Sequence, residues 1–217
     1  DCKQMFRRDE QPMVQAVDFK QMGFNEFIQW VPDDGKTYEL HQGVVTETQP
    51  TGPHELVGAF IAEELTLAIR KRQLAYTIPK SCLLKPRLPD SGYRPDVVVL
   101  DKVELINEPL WKTASTVQFG KSIPLVVEVV STNWRDDYAH KLVEYETMGV
   151  TEYWIVDFRA LGAVRYIGQP KQPTITICQL VDGEYQLERL VSGQPLCSSI
   201  FPELELTTDK VFQSAKL

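Results

Sequence analysis

Residues 123–157 run strand, helix, strand, and this order limits the fold more than any other feature of the chain. From Leu125 to Val130 every residue but Glu128 is apolar, the pattern of a strand covered on both faces. "STNWRDDYAHKLVEYETMGV" (131–150) then predicts a helix over 135–148. Ser131, Thr132 and Asn133 are capping types, Asp136 and Asp137 suit the positive helix start, and Gly149 is a natural stop. "TEYWIVDF" (151–158) is a second buried strand. Two strands joined by a crossing helix pair in parallel, with a right-handed crossover. The expected class is therefore α/β (α+β), with a mixed central sheet flanked by helices.

The flanking segments are read in the same way. A short helix is expected within 17–31, ended by Pro32, and two short strands within 37–48 around Gly43. Residues 51–72 carry a helical stripe of Val57, Phe60, Ile61, Leu65, Ala68 and Ile69. "LAYTIPK", "CLLKPRL" and "RPDVVVL" follow as strand pieces, and the polar stretch 101–122 reads as a surface insertion. Beyond Phe158, "ALGAVRYIG", "TITICQLV" and "EYQLERLV" suggest an antiparallel meander, with "LTTDKVF" a closing helical turn. This organisation gives a flexible arm at 1–16 and one domain over 17–217, with its core at 37–158 and a β-rich extension at 159–217.

Composition removes several classes of function. A net charge of −7 argues against a protein that coats nucleic acid without specificity, though it permits a local basic groove. The four cysteines are scattered, with neither Cys-x-x-Cys nor zinc spacing, so reduced thiols in a cytoplasmic protein are expected. No apolar run approaches the ~20 residues of a membrane span, and no membrane partner is expected.

Glu128 is the anomaly. An unpaired ionised carboxylate in a dry core costs several kcal/mol, on the order of a whole domain's margin of stability. It must be protonated, paired with a cation or bound to a metal. Three other residues bear on the choice. Asp96 heads the apolar strand "RPDVVVL", where a simple strand-start acid would also fit. Lys141 falls inside the apolar stripe of its helix, three after Tyr138 and four before Tyr145, where a snorkelling lysine is the plainer account. Glu39 lies between Tyr38 and Leu40, where an outward-facing residue of an alternating strand would serve. Converging acids beside a lysine suit a hard divalent cation held by one or two carboxylates, together with phosphodiester chemistry.

The segments "YELHQGVV", "PTGPHELVGAFIAEEL", "RPDVVVL", "PLVVEVVS", "DDYAHKLVEYETMGVTEYWIVD" and "FPELELTTDKVF" together resemble the Uma-two family of endonucleases, within the restriction-endonuclease-like PD-(D/E)XK superfamily. The resemblance runs from about Phe19 to the end. It implies a restriction-endonuclease-like core, Asp96 and Glu128 as ligands of Mg²⁺ (with Mn²⁺ able to substitute), and Glu39 as an additional acid. The superfamily's usual lysine, two after the second acid, is replaced here by Val130. The resemblance implies that Lys141 on the following helix takes its place. Asp157 also fits the family pattern and reads as a strand-end structural acid.

DNA is the expected substrate. Arg70, Lys71, Arg72, Lys80, Lys85, Arg87 and Arg94 face only Asp90 over that stretch, so a phosphate-contacting rim leading to Asp96 is one reading and a solvated helix end the other. His54, Arg94 and Tyr145 are candidate substrate contacts. A homodimer is expected, with exposed apolar β-surface in the C-terminal meander as its candidate interface. The alternative to an Mg²⁺-dependent endodeoxyribonuclease is an inactive nuclease-fold module that binds nucleic acid or a protein partner.

Overall fold

The computed structural model describes residues 21–216, so the arm expected at 1–16 lies outside the described residues. The chain opens with α1 (Phe24–Trp30), whose start is closed by the Glu26 carboxylate accepting from the Gly23 amide. A hairpin follows, β1 (Thr37–His41) and β2 (Val44–Thr48), turning through Gln42 and Gly43 at positive φ. The long helix α2 (Gly52–Arg72) precedes two-residue strands β3 (Tyr76–Thr77) and β4 (Leu83–Leu84), then β5 (Val97–Asp101). Within the stretch expected as an insertion come α3 (Trp111–Ala114) and β6 (Thr116–Val117). That stretch is not all surface: Thr116 and Val117 are buried, and β6 pairs in parallel with β4.

The central unit is β7 (Leu125–Val129), helix α4 and β8 (Glu152–Asp157), with β7 and β8 parallel as expected. Helix α4 opens with a wide π-helical turn at Asp136–His140 and continues as α-helix over Lys141–Met148. None of Ser131, Thr132 or Asn133 caps it. Asn133 instead hydrogen-bonds the Asp136 carboxylate through its side chain. Gly149, at φ 87°, ends it.

The remaining elements are α5 (Val164–Ile167), β9 (Thr174–Val181), β10 (Glu184–Leu190) and α6 (Thr208–Ser214). "ALGAVRYIG" is thus a helical turn and not a strand. Asp157 accepts from the Leu161 and Gly162 amides and folds the chain back, which an extended strand could not do. The antiparallel pair β9–β10 continues the main sheet, whose order is β10-β9-β8-β7-β5-β3. Alternation along each strand splits the core in two. One face packs on α2 and α6 through Val57, Ile61, Val127, Trp154 and Val211. The other packs around α4 through Val98, Val126, Tyr138, Tyr145 and Tyr153. A third cluster, around Phe27, Tyr38 and Leu40, docks the hairpin. Among the described residues no helix is long and apolar enough to cross a membrane.

Candidate active site

The two central acids stand at adjoining strand ends. Val97 pairs with Val127, and Asp96 lies in the bend just before that pair, packed against Gly58 of α2. Asp96 Oδ2 accepts from the Val129 amide at 2.7 Å, which ties the head of β5 to the end of β7.

Glu128 Oε1 accepts from Tyr145 Oη at 2.7 Å and from Lys141 Nζ at 3.0 Å. Lys141 Nζ also lies 3.4 Å from Glu39 Oε1 and 3.9 Å from Asp137 Oδ1. The side chains of Glu39, Glu128 and Lys141 are 6%, 4% and 7% exposed, whereas Asp96 keeps 25% open. Asp96 is therefore the end of the cluster that solvent reaches. Glu39, far from facing outward, is buried behind the lysine. It accepts from the Arg94 amide at 2.7 Å and contacts His41 Nε2 at 3.1 Å.

Glu128, Glu39 and Asp137 thus surround one lysine, and Asp96 feels its charge without touching it. Burial, then the Glu128 charge, pushes Asp96 well above the usual carboxylate range. Asp137 is likewise raised, by burial and, despite Lys141, by Glu128 and Glu39. Burial raises Glu128 as well, against the pull of Lys141. Glu39 goes the other way. Burial opposes its charge, but Lys141 and the His41 bond win and hold it at about 2. Burial would lower Lys141, yet Glu128, Glu39 and Asp137 outweigh it and raise the ammonium well above its ordinary value. Lys141 is a fixed cation that donates.

His54, at the start of α2, turns inward. Its Nε2 lies 2.7 Å from the Val129 carbonyl, a contact that requires a proton there, and 3.4 Å from Asp96 Oδ2. Burial lowers its pKa, which favours the neutral ring. Its polar edge is committed to the acids' own strands, so it does not present itself to substrate in this arrangement. Arg94 spends Nε on the Tyr38 carbonyl and Nη1 on Ser81. The basic run does not form one rim: Arg70, Lys71 and Arg72 close α2, roughly 24 Å along its axis from His54.

Sequence reasoning missed Asp137 as a member of the cluster. Its position four before Lys141 was the available signal, since residues so spaced share a helix face. Asp157 stands apart, with both oxygens held by loop amides.

The same end-of-sheet arrangement sits within a stretch that matches a known family. Residues 24–209 match the Uma2 family model, described as "Putative restriction endonuclease". The chain belongs to the Uma2 family. A crystal structure of a "putative nuclease belonging to DUF820" from Anabaena variabilis ATCC 29413 superposes with TM-score 0.66 at 15% identity, covering 90% of this chain and 99% of that one. At that identity the likeness establishes the shared fold. No curated protein matches the sequence. Family membership agrees with a nuclease, and the fold is the one the sequence led us to expect.

A divalent cation fits the acids. Burial and mutual repulsion disfavour the charged forms of Asp96, Asp137 and Glu128, and a divalent cation would offset both effects. Among the described residues no three His, Cys, Asp or Glu side chains form a ready-made ligand shell. Mg²⁺ commonly needs only one or two carboxylates and keeps several waters.

Proposed function

We propose that this Uma2 protein is a Mg²⁺-dependent endonuclease that hydrolyses DNA phosphodiester bonds. The observation that carries the reading is Lys141 Nζ at 3.0 Å from Glu128 Oε1, with Asp96 Oδ2 bound to the amide of Val129, the residue after Glu128. The inactive-module alternative drew on Val130 standing where the superfamily has its lysine. An ammonium supplied from α4 supports the active reading.

Asp96 and Glu128 would hold the cation. When bound, it supplies charge neutralisation at the phosphate and a more acidic water. The chain's own groups do the rest. Tyr145 and Lys141 fix Glu128 through a single oxygen, which leaves Oε2 free of those two donors. Glu39 holds Lys141 from behind and keeps it charged. Lys141 then orients the attacking water as a donor and stabilises the negative charge that grows on the phosphoryl oxygens. The Val129 amide fixes the rotamer of Asp96, so little reorganisation is needed.

The test pairs calorimetry with a cleavage assay. Mg²⁺ or Mn²⁺ should bind the wild type and lose binding in Asp96→Asn, and plasmid DNA should be nicked only by the wild type. Cleavage at the wild-type rate in Asp96→Asn would overturn the assignment.

A further inference from the structure

We infer a second binding site, for a nucleoside monophosphate unit, on the same sheet face three strands from Glu128. A cleft of about 120 Å³ is lined by Tyr138, Arg165, Tyr166, Thr176, Leu187 and Arg189. Its volume is comparable with the roughly 150 Å³ of an apolar cavity that takes up benzene. One flat ring fits.

Two residues of its wall carry buried hydroxyls with incomplete hydrogen bonding. Tyr138 and Thr176 are 3% and 4% exposed, and neither Tyr138 Oη nor Thr176 Oγ1 has a hydrogen bond of ordinary geometry among the described residues. The hydroxyls are near enough to interact. Even so, if one donates to the other, the second O–H still lacks an acceptor. Such atoms are rare in native interiors and costly unless something completes them. Burial, then Asp157 and Asp137, raises the Tyr138 phenol, so it remains a donor.

The rest of the wall specifies the ligand class. Tyr138 stacks on Tyr166 at 4.8 Å between centroids and 15° between planes. The Arg165 guanidinium lies 4.6 Å from the Tyr166 ring centre, Trp134 meets Tyr166 edge-on at 6.1 Å, and Arg135 covers Trp134. Arg189 Nη1 reaches only the Tyr166 carbonyl, at 3.4 Å. No carboxylate pairs with Arg165 or Arg189 among the described residues, and Leu187, 56% exposed, forms an apolar lip. Aromatic faces, hydrogen-bonding hydroxyls and unpaired guanidinium groups suit a planar base with a polar edge and an attached phosphate.

Register places this cleft with respect to the acids. Glu128 pairs with Ile155, Ile155 with Thr176, and Thr176 with Arg189. At about 4.8 Å per strand, Thr176 is roughly 10 Å and Arg189 roughly 14 Å from Glu128. Asp137 and Lys141 face the acids from the start of α4 while Tyr138, beside them, lines the cleft. The nucleotide could come free from solution or as an unpaired unit of the strand being cut. The second source rests on the proposed nuclease function, and the first does not.

Fluorescence titration in EDTA separates the binding from any metal chemistry. The probes are dAMP, inorganic phosphate and a 12-nucleotide single-stranded DNA, against wild type, Thr176→Val, Arg189→Gln and Asp96→Asn. We expect dAMP to bind at least tenfold more tightly than phosphate, to lose about tenfold in Thr176→Val and Arg189→Gln, and to be unchanged in Asp96→Asn. A parallel loss for the 12-mer assigns the site to the strand, and a loss for dAMP alone assigns it to free nucleotide. Equal affinity for phosphate and dAMP, or dAMP binding indifferent to both cleft substitutions, would overturn the inference. So would a concentration-dependent dimer lost in Leu187→Ser with no dAMP binding, since it would show the lip to be a contact between copies. If Asp96→Asn abolishes cleavage but dAMP still binds, the two sites stand independently.

Discussion

Two sets of buried acids in this fold meet opposite fates. Glu152, fully buried, accepts from Trp154 Nε1 at 2.7 Å and from the amide and hydroxyl of Ser199 at 2.7 and 2.6 Å. Glu108 accepts from the amides of Gln118 and Phe119, and Asp157 from those of Leu161 and Gly162. Each of these carboxylates has donors to itself and no acid in contact with it among the described residues. Glu39, Glu128 and Asp137 instead crowd around one ammonium, with Asp96 at the edge of the group. The first arrangement fastens loops and the C-terminal segment to the sheet. In the second, burial and mutual repulsion raise the pKa of Asp96, Glu128 and Asp137, a frustration that accords with the proposed chemistry more than with stability.

The sharpest break of this comparison is a crossed pair of substitutions. Asp96→Asn should lower Mg²⁺-dependent DNA cleavage roughly 10³-fold. Its thermal midpoint without metal should stay or rise, because one repelling charge is gone. Glu152→Ala should do the reverse. The buried Trp154 N–H is left without an acceptor and the anchor of Ser199 is lost, at a cost of about 3 kcal/mol in denaturant unfolding, while cleavage per folded molecule holds. If Asp96→Asn proved as destabilising as Glu152→Ala, the two sets of acids would not differ in kind. A smaller effect should come from Tyr145→Phe. Glu128 keeps Lys141 but loses its second donor, so cleavage should fall about tenfold with stability changed by roughly 1–2 kcal/mol.

What the sequence disclosed follows from how local each signal is. Glu128 stands out because its neighbours are uniformly apolar, and Lys141 because helical phase alone puts it on the packed face. Glu39 gave no such sign. Strand alternation pointed it outward, and only docking of the hairpin against α4 buries both faces of β1. Asp137 was concealed by Asp136, since both satisfy the preference for acids at a helix start. Thr176 and Arg189 are brought beside Tyr138 by strand register across three hydrogen-bonded pairs, and no spacing along the chain encodes that. The turn at 164–167 reads as a strand in isolation and becomes helical because Asp157 caps the chain reversal before it.

The smallest expected effect tests the one acid in the cluster whose charge the protein does stabilise. Glu39 is held at about 2 from an ordinary 4.5. A carboxylate with a depressed folded-state pKa stabilises the fold above its unfolded value and loses that contribution as pH falls through the folded value. Wild type should therefore exceed Glu39→Gln in stability at neutral pH, and the gap should close between about pH 4.5 and 2. Asp96→Asn should show the opposite trend. An acid whose pKa is raised on folding favours the folded state while protonated and loses that benefit as pH rises through the folded value. The wild type should thus lose ground to Asp96→Asn on going from acid to neutral pH. Urea titrations of the three proteins across this range, with EDTA present, measure both trends. Parallel curves would mean that Glu39 and Asp96 share one electrostatic role, and the division between the acid that anchors Lys141 and the acid assigned to the cation would fail.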